Sequence, residues 1–390
     1  MWGATMNKMY ENFRIGFDLS LLSAKRAINK ISGDRLARSM FTQSLDIKNV
    51  NTDVKIICED EVSVTIAKTD KNGKILDKGF RILSTSDLHF GDDPELRNKC
   101  ISMLMRNIYE TKPDLVVLTG DIILGKYQHL DAIQFAQFME KLGIYWAFVF
   151  GNHEAREEKG RFKELLMKCQ TRFPHCLSRQ GREDLFGLCN FSINILKSET
   201  EILKTLFMFD SGRDILDRDR PIYSVPNDYK GYDFIKKEQM EWYAQTLDSL
   251  KPKYGDVKSF VYMHIPICEY SETIEATDDG NFRFTDKCEY LYGEAHESVG
   301  CSAFNSGLFS LIKEKGSTEA VFSGHDHVNG FCVKYDGVYL VYSQCGGYET
   351  YDLKDKKGFD EKRCIQGVTI TEISSNGDIS ISPRLNSRYL

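Results

Sequence analysis

The chain has 390 residues, of which 42% are hydrophobic, and its formal net charge is −6. This composition predicts a folded protein with one large domain or two, and it excludes wholesale disorder. Acidic and basic residues are interspersed, so the chain lacks the basic footprint of nucleic-acid-binding proteins, and no nucleic acid is expected as a partner.

Eleven cysteines are scattered along the chain without a CxxC pair, a pattern typical neither of a disulfide framework nor of a structural zinc site. We expect them to be mostly reduced and buried, which favours a reducing compartment and predicts a cytoplasmic protein. No apolar run approaches the ~18 residues that span a bilayer, so no transmembrane segment is predicted. The N-terminus lacks the continuous apolar stretch of a secretory signal.

Residues 1–79 are predicted to form an N-terminal extension that begins as helix. The basic stretch 20–46 is typical of a helix that packs on the main domain, although a transit peptide or a membrane-surface helix has the same pattern. Residues 54–80 then alternate apolar and polar side chains and contain the turn pair Asn72 and Gly73. This pattern indicates a β-hairpin.

From Phe80 onward, apolar strands alternate with amphipathic helices. The strand segments FRILSTSD, PDLVVLTGD and YWAFVFGN are separated by the helical segments PELRNKCISMLMRNIYETK and LDAIQFAQFMEKLG. Such alternation predicts right-handed βαβ crossovers and a mostly parallel sheet.

Further strands and helices follow these. The strand segments are TLFMFDSG, SFVYMHIP and EAVFSG, and the helical ones are IKKEQMEWYAQTLDSL and AFNSGLFSLIKEKG. Turn pairs at 336–337 and 376–377 predict an antiparallel tail. We assign residues 80–390 to one α/β domain.

Polar side chains follow five of these strands at the point where each strand ends. They are Asp87, His89, Asp121, Asn152, His153, Glu154, His264, His325 and His327, which include five of the eight histidines. Ligands of open α/β sheets bind at the carboxyl ends of the strands, and buried carboxylates and imidazoles require partners there. A bound cation would serve as that partner.

The spacing of these residues favours more than one ion. Asp87 and His89 are two residues apart, as are His325 and His327, so each pair can present both side chains to one side of an extended strand end. Seven candidates, without His153 and Glu154, exceed the four ligands of a tetrahedral ion. They suit two ions spaced about 3.5–4 Å apart around a shared carboxylate.

The ordered motifs DLH, GD, GNHE, a lone histidine after a strand, and GHDH resemble those of the calcineurin-like metallophosphoesterase superfamily. The segments GYDFIKKEQMEWY, HIPI, NSGLF and SGHDHVNGFC are similar to its purple-acid-phosphatase-like subgroup of plants and fungi. The chain departs from true purple enzymes, because Leu124 stands where they have a tyrosinate ligand. The GDxxDRG signature of phosphoprotein phosphatases is also absent.

The resemblance implies a two-sheet αββα sandwich that holds two divalent ions, whether Mn, Fe or Zn. It implies that Asp87, His89 and His327 bind the first metal, that Asn152, His264 and His325 bind the second, and that Asp121 bridges both. His153 would face the leaving group, and Asp326 would orient a ligand. A metal-bridged hydroxide would attack phosphorus, with His153 as the proton donor.

The expected function is hydrolysis of a phosphomonoester, either a small phosphate ester or a phosphoprotein. A phosphodiesterase that acts on small diesters remains an alternative, and so does a scaffold of the same fold without catalysis. Such a scaffold is expected to have a broken motif, and none is broken here.

Weaker candidates lie around the expected site. Glu154 and Arg156 are candidates for its mouth, Asn305 for a phosphate contact and His296 for a substrate contact. Residues 268–300 lack periodicity and read as a long, acidic loop. Loops of that length inside a compact domain are usually functional. We expect it to lie over or beside the metals as a lid that repels polyanions, or to be a surface excursion.

Overall fold

The computed structural model describes residues 47–50, 52–125, 128–155, 161–351, 353 and 365–386. The helix predicted before residue 47 and the candidate Arg156 lie outside the described residues. Within these ranges, no helix is both long enough and apolar enough to cross a membrane.

The strands belong to two large sheets and one short hairpin. In chain order they are β1 (Val54–Glu59), β2 (Ser63–Lys68), β3 (Phe80–Thr85), β4 (Leu115–Thr119), β5 (Trp146–Val149), β6 (Phe191–Ser198), β7 (Glu201–Met208), β8 (Ser259–Tyr262), β9 (Ile274–Ala276), β10 (Phe282–Phe284), β11 (Cys288–Glu294), β12 (Thr318–Ser323), β13 (Gly330–Tyr335), β14 (Val338–Tyr342), β15 (Gly367–Ile373) and β16 (Ile379–Leu385).

The smaller large sheet has the order β16-β15-β3-β4-β5, and the larger has the order β1-β2-β6-β7-β8-β12-β14-β13-β11. Strands β3, β4 and β5 are parallel, as the strand–helix alternation predicts. Strand β8 pairs in parallel with β7 and β12. The tail strands are antiparallel, β13 with β14 and β15 with β16, in agreement with the turns predicted from the sequence.

Five α-helices lie among the described residues. They are α1 (Pro94–Thr111), α2 (Gln128–Leu142), α3 (Arg161–Thr171), α4 (Lys237–Tyr254) and α5 (Leu308–Lys315). Helix α1 begins where the sequence indicates, because Pro94 occupies its first turn and the side chain of Asp93 accepts hydrogen bonds from two backbone amides. Helix α2 is followed by Gly143 in the left-handed region (φ 65°).

The burial pattern of the central strands shows how the layers stack. In β8, Phe260 and Tyr262 pack into a core shared with α1, α2 and the smaller sheet. Val261 between them packs into a second core with α4 and α5. Because successive residues of a strand face opposite sides, the larger sheet lies between these two cores. The order helix, sheet, sheet, helix confirms the predicted αββα sandwich.

The predicted N-terminal hairpin is part of the larger sheet. Strands β1 and β2 are antiparallel, and β2 pairs in parallel with β6. The chain turns between them at Asp60, whose backbone N–H donates to the Ser63 carbonyl (2.9 Å). The predicted turn at Gly73 (φ 85°) follows β2 and closes a smaller loop. A domain boundary at residue 80 would therefore separate β1 and β2 from the larger sheet to which they belong.

The region 268–300 is not the irregular loop that its lack of periodicity predicted. It contains a short 3-10 helix (Cys268–Glu272), the β9–β10 hairpin, and β11, which pairs with β13 at the edge of the larger sheet. Strand β11 has several exposed positions, Glu289 and Leu291 among them. An edge strand that faces solvent on much of its surface lacks the apolar run of a central strand, which is why the sequence pattern concealed it.

Candidate metal centre

The carboxyl ends of β3, β4, β5, β8 and β12 meet at one edge of the sandwich. Backbone hydrogen bonds connect the turns there. The backbone N–H of Asp87 donates to the Gly120 carbonyl (3.0 Å), and the backbone N–H of His89 donates to the Asp121 carbonyl (3.0 Å). The backbone N–H of His325, after β12, donates to Asp87 Oδ2 (2.9 Å). These bonds connect the turns of both sheets, so side chains far apart in sequence share one buried volume.

The first cluster contains Asp87, His89 and His327, all buried. Asp87 Oδ1 lies 3.4 Å from His327 Nε2 and 3.8 Å from His89 Nε2. The two Nε2 atoms are 3.1 Å apart. One carboxylate oxygen and two imidazole nitrogens therefore converge on one point, as they would around a cation.

The second cluster contains Asp87, Asp121 and His264. Asp121 Oδ2 lies 3.3 Å from His264 Nε2, and Asn152 Oδ1 lies 2.9 Å from the same nitrogen. The two clusters thus share Asp87. Asp121 Oδ2 also lies 3.9 Å from His89 Nε2, so it is near imidazoles of both clusters, and its bridging role stays a prediction.

His325 lies beside the second cluster. Its ring packs edge-on against that of His264, with 5.1 Å between the ring centres. Burial and the neighbouring charge of His264 lower the pKa of His325 to about 3, so the imidazole is neutral at physiological pH. A histidine must be neutral to bind a metal.

The chemistry of the first cluster fits a cation. Among the described residues, Asp87 Oδ1 is fully buried and has no hydrogen-bond partner. Burial raises the pKa of Asp87, but its contacts with His327 and His89 lower that pKa well below its usual range. A buried, ionised carboxylate oxygen without a donor is costly, and a divalent ion would compensate for it. The mixed nitrogen and oxygen donors suit Mn, Fe or Zn.

The backbone at these turns is unusual. Eight residues other than glycine have positive φ among the described ones, and four of them are Asp87 (52°), His89 (43°), Asp121 (50°) and His325 (80°). Such conformations cost about 1–3 kcal/mol each and persist only when their surroundings impose them. The strain is therefore concentrated at the predicted ligands.

Two glycines in the predicted motifs make this convergence possible. Gly120 has φ 91°, and a Cβ on it would lie 2.6 Å from Nδ1 of His264. A Cβ on Gly151 would lie 2.1 Å from Asp121 Oδ1. Each glycine thus leaves the space that a side chain from another strand occupies.

Glu154 organises the turn that carries Asp121. Its carboxylate accepts hydrogen bonds from the backbone N–H groups of Asp121 (3.1 Å), Ile122 (2.5 Å), Ile123 (3.0 Å) and Gly151 (2.7 Å). Burial and the charge of Asp121 raise the pKa of Glu154 to about 7, against the effect of these donors.

With a relative exposure of 2%, Glu154 is inside the protein and not at the mouth where the sequence analysis placed it. The sequence could not distinguish the two positions, because a carboxylate beside a motif is as common at a surface as in a buried turn.

The imidazoles are oriented by neutral partners. His264 Nδ1 donates to the Thr119 carbonyl (2.8 Å), which leaves Nε2 facing the cluster. His327 Nδ1 is 2.6 Å from the Thr350 hydroxyl, and the Tyr351 ring stacks on the His327 ring at 4.4 Å. Such partners fix which ring nitrogen can bind a metal. Thr350 and Tyr351 follow β14 without a recognisable motif, and the sequence analysis missed both.

Asp326 lies between the two histidines of the GHDH motif, but among the described residues no hydrogen bond joins its carboxylate to a predicted ligand. Its carboxylate accepts from the Tyr342 hydroxyl (2.5 Å) and from the backbone N–H of Gly300 (3.0 Å). Burial raises the pKa of Asp326 to about 7. It thus connects the turn that bears His325 and His327 to the end of the 268–300 region.

Two other predicted residues differ in how they relate to the clusters. His153 Nε2 lies 3.8 Å from Asp121 Oδ2, and 31% of the side chain is exposed, so it reaches both the cluster and solvent. Asn305 is exposed and donates to Glu269 Oε1 (2.8 Å). No contact described here joins Asn305 to the clusters, and its phosphate contact stays a prediction.

The 268–300 region meets the site at its C-terminal end. The backbone N–H groups of His296 and Glu297 donate to Asn329 Oδ1 (2.9 and 3.2 Å). A Cβ on Gly300 would lie 2.9 Å from His325 Nε2. His296 Nε2 lies 2.7 Å from Glu294 Oε2. This end therefore covers the turn that bears the histidine pair, whereas the lid role of the whole region stays a prediction.

Two sheets with a carboxylate- and imidazole-lined edge define an α/β protein with a candidate dinuclear metal centre. The family model described as calcineurin-like phosphoesterase matches residues 80–329, well over half of the chain. The chain belongs to the calcineurin-like phosphoesterase family, as its motifs predict.

The curated relatives agree with the predicted subgroup. The chain is 30% identical over 306 residues to "Probable inactive purple acid phosphatase 14" of Arabidopsis thaliana, an alignment that covers 70% of this chain and 72% of that protein. It is 28% identical over 328 residues to "Probable inactive purple acid phosphatase 29" of the same plant, covering 75% and 77%.

A fungal relative is also similar. "Phosphatase DCR2" of Saccharomyces cerevisiae is 28% identical over 337 residues, which cover 79% of this chain and 54% of the yeast protein. The resemblance to purple-acid-phosphatase-like proteins of plants and fungi is therefore confirmed.

Proposed function

We propose that the protein is a dinuclear metal-dependent phosphoesterase that hydrolyses phosphomonoesters. The observation that carries this proposal is the pair of buried clusters that share Asp87, with the partly exposed His153 beside them. Two bound divalent ions would supply an activated water and polarise the phosphoryl oxygens. Asp87, His89 and His327 would hold one ion, and Asn152, His264 and His325 the other, with Asp121 between them.

The chain's own residues have three tasks in this reaction. Asp87 and Asp121 provide the negative charge that retains the ions. The Thr119 carbonyl and the Thr350 hydroxyl orient the imidazoles of His264 and His327. His153, near Asp121 and open to solvent, would donate a proton to the leaving oxygen.

The names of the relatives differ on whether those proteins are active, so catalysis is the property to test. The two plant relatives are called probable inactive, and the yeast relative is called a phosphatase. A silent scaffold is therefore the main alternative. We favour an enzyme because the described clusters retain both carboxylates and His153 remains exposed beside Asp121. A phosphodiesterase for small diesters would use the same groups.

The test is a metal-reconstitution assay on the full chain. The protein is stripped with a chelator, reloaded with Mn, Fe or Zn, and assayed with phosphomonoesters, small diesters and phosphopeptides. We expect turnover to be lost on stripping, restored on reloading and greatest with monoesters. Undiminished turnover in metal-free protein would contradict the proposal. Silence with every metal would support the scaffold, and a preference for diesters would support the second alternative.

The compartment belongs to the same proposal. We propose the cytoplasm, because the ten described cysteines are free thiols and six of them are buried, which suits a reducing environment. A phosphate ester is the proposed partner, and the net charge of −6 gives no support to nucleic acid.

A further inference from the structure

Residues 212–236 form a small folded unit beside the metal centre, which we call the tyrosine lobe. Its two ends are joined by an antiparallel bridge between Asp214 and Tyr232, and the backbone N–H of Asp233 donates to the Arg213 carbonyl (3.0 Å). Three buried side chains, Ile215, Val225 and Phe234, give the lobe its own apolar core. The lobe therefore has a closed base and an apolar core of its own.

A buried ion pair fixes the base of the tyrosine lobe. Lys236 Nζ lies 2.5 Å from Asp233 Oδ1 and 3.0 Å from Asp219 Oδ2. The same ammonium group lies 3.9 Å from the centre of the Phe234 ring. Because a buried charge is stable only when paired, these contacts hold the segment that immediately follows Tyr232 in one arrangement.

The tyrosine lobe also rests on the segment that leads into α5. The Tyr229 hydroxyl accepts a hydrogen bond from the backbone N–H of Ala303 (3.0 Å), and the Tyr229 ring packs edge-on against Phe304 at 5.0 Å. Gly300, a few residues earlier on that segment, lies against His325. The lobe and this segment thus approach the same predicted ligand.

Tyr232 is the residue that the lobe presents to the metal centre. Its half-buried ring packs edge-on against the His325 ring, with 4.4 Å between centres and an interplanar angle of 88°. Among the described residues, no protein hydrogen bond engages the Tyr232 hydroxyl. A phenol hydroxyl can donate a hydrogen bond to an anionic oxygen.

We infer that Tyr232 is a substrate-binding residue whose hydroxyl donates a hydrogen bond to a phosphoryl oxygen of the ester. The inference rests on the proposed function, because it assumes that phosphate binds at the metal centre. His153 lies by His89 and Asp121, whereas Tyr232 lies by His325. The two donors therefore lie beside different predicted ligands. Because the Tyr232 ring is already packed against His325, ordering its hydroxyl when the ester binds costs little entropy.

The test compares Tyr232→Phe with Tyr229→Phe in the Mn-loaded full chain. Both changes remove only a hydroxyl from the same lobe. Metal content is measured by elemental analysis, the Kd of inorganic phosphate by calorimetry, and kcat and KM with a phosphomonoester. We expect Tyr232→Phe to retain both ions, to weaken phosphate binding about tenfold and to raise KM by a similar factor, as for the loss of one hydrogen bond to a charged group. Tyr229→Phe is expected to change none of these.

Each outcome has a definite meaning. Unchanged phosphate affinity in Tyr232→Phe overturns the inference, and so does loss of a metal ion from that variant, which would show that the ring only positions His325. Equal losses of affinity in both variants would overturn it as well. If the unaltered protein binds phosphate without turnover and Tyr232→Phe still weakens binding, catalysis fails as a function while the inference holds. A protein that binds no phosphate overturns both.

Discussion

The two sides of the metal centre are stabilised in different ways. The carboxylate side comprises the turns after β3, β4 and β5, with Asp87, Asp121 and Asn152. It is held by the hydrogen bonds that the Glu154 carboxylate accepts from four backbone N–H groups, which help to offset the strain of its left-handed backbone. The imidazole side comprises the turns after β8 and β12.

The imidazole side depends on side chains from elsewhere in the chain. Thr350 and Tyr351 hold His327, and Tyr232 packs on His325. The two carboxylates thus accept hydrogen bonds from backbone N–H groups, whereas His325 and His327 contact segments outside the strands. Changes to a carboxylate or to its backbone support are therefore expected to affect the whole centre, and changes to one imidazole or its partner to affect one ion.

The largest effect is expected from Asp121→Asn. The carboxylate lies within 3.9 Å of imidazoles in both clusters, so an amide in its place removes charge from both. We expect affinity for both ions to fall by more than the about 10- to 100-fold that loss of a partner of a ligand costs, and turnover to fall with it. His89→Ala, the matched variant, is expected to lose mainly one ion. Elemental analysis after dialysis measures how many metal ions each variant retains. Equal metal content in the two variants would contradict this expectation.

Glu154→Gln tests the backbone support of the carboxylate side. The glutamine amide would direct its own N–H donors at backbone N–H groups that now have an acceptor. Leaving buried donors unmatched costs about 1–3 kcal/mol, so we expect the free energy of unfolding to fall by that amount and both metals to bind more weakly. Denaturant unfolding measures the first and metal titration the second. The exposed Glu183→Gln serves as the control, and a similar loss there would contradict the explanation.

Thr350→Val tests the imidazole side. The change keeps the shape of the side chain and removes the hydroxyl that lies 2.6 Å from His327 Nδ1. Partners of this kind contribute about 10- to 100-fold to metal affinity. We expect Thr350→Val to lower the affinity for one ion only, by about tenfold. Titration with Mn, compared with the exposed Thr200→Val, checks this. Loss of both ions would mean that the two sides are not independent.

The smallest effect on metals is expected from shortening the tip of the β9–β10 hairpin. Residues 277–281 include the exposed Asp278 and Asp279 and lie away from the anchored end of the 268–300 region. We expect metal content to stay unchanged. If the acidic region is a lid, turnover of polyanionic esters rises relative to singly phosphorylated ones, because repulsion is reduced. An unchanged substrate ranking would leave the hairpin as a surface excursion.

The strand ends were predictable because they obey a simple rule. Parallel strands deliver their final residues to one edge, so the spacing of Asp87, Asp121, His264 and His327 after apolar runs indicates their convergence. The supporting residues were not predictable in this way. Glu154, Thr350 and Tyr232 act through contacts between distant segments, and their local sequences resemble ordinary turns. Strand β11 was missed for a related reason, because an edge strand needs few apolar residues.

The hairpin of β1 and β2 has a consequence for how a folding unit is delimited. The family likeness begins at residue 80, yet Val64 and Ile66 of β2 are fully buried, and β2 forms the ladder beside β6. A protein begun at residue 80 would leave β6 with unpaired amides and carbonyls, a surface that invites association with other chains. The larger sheet thus extends beyond the residues that the family model matches.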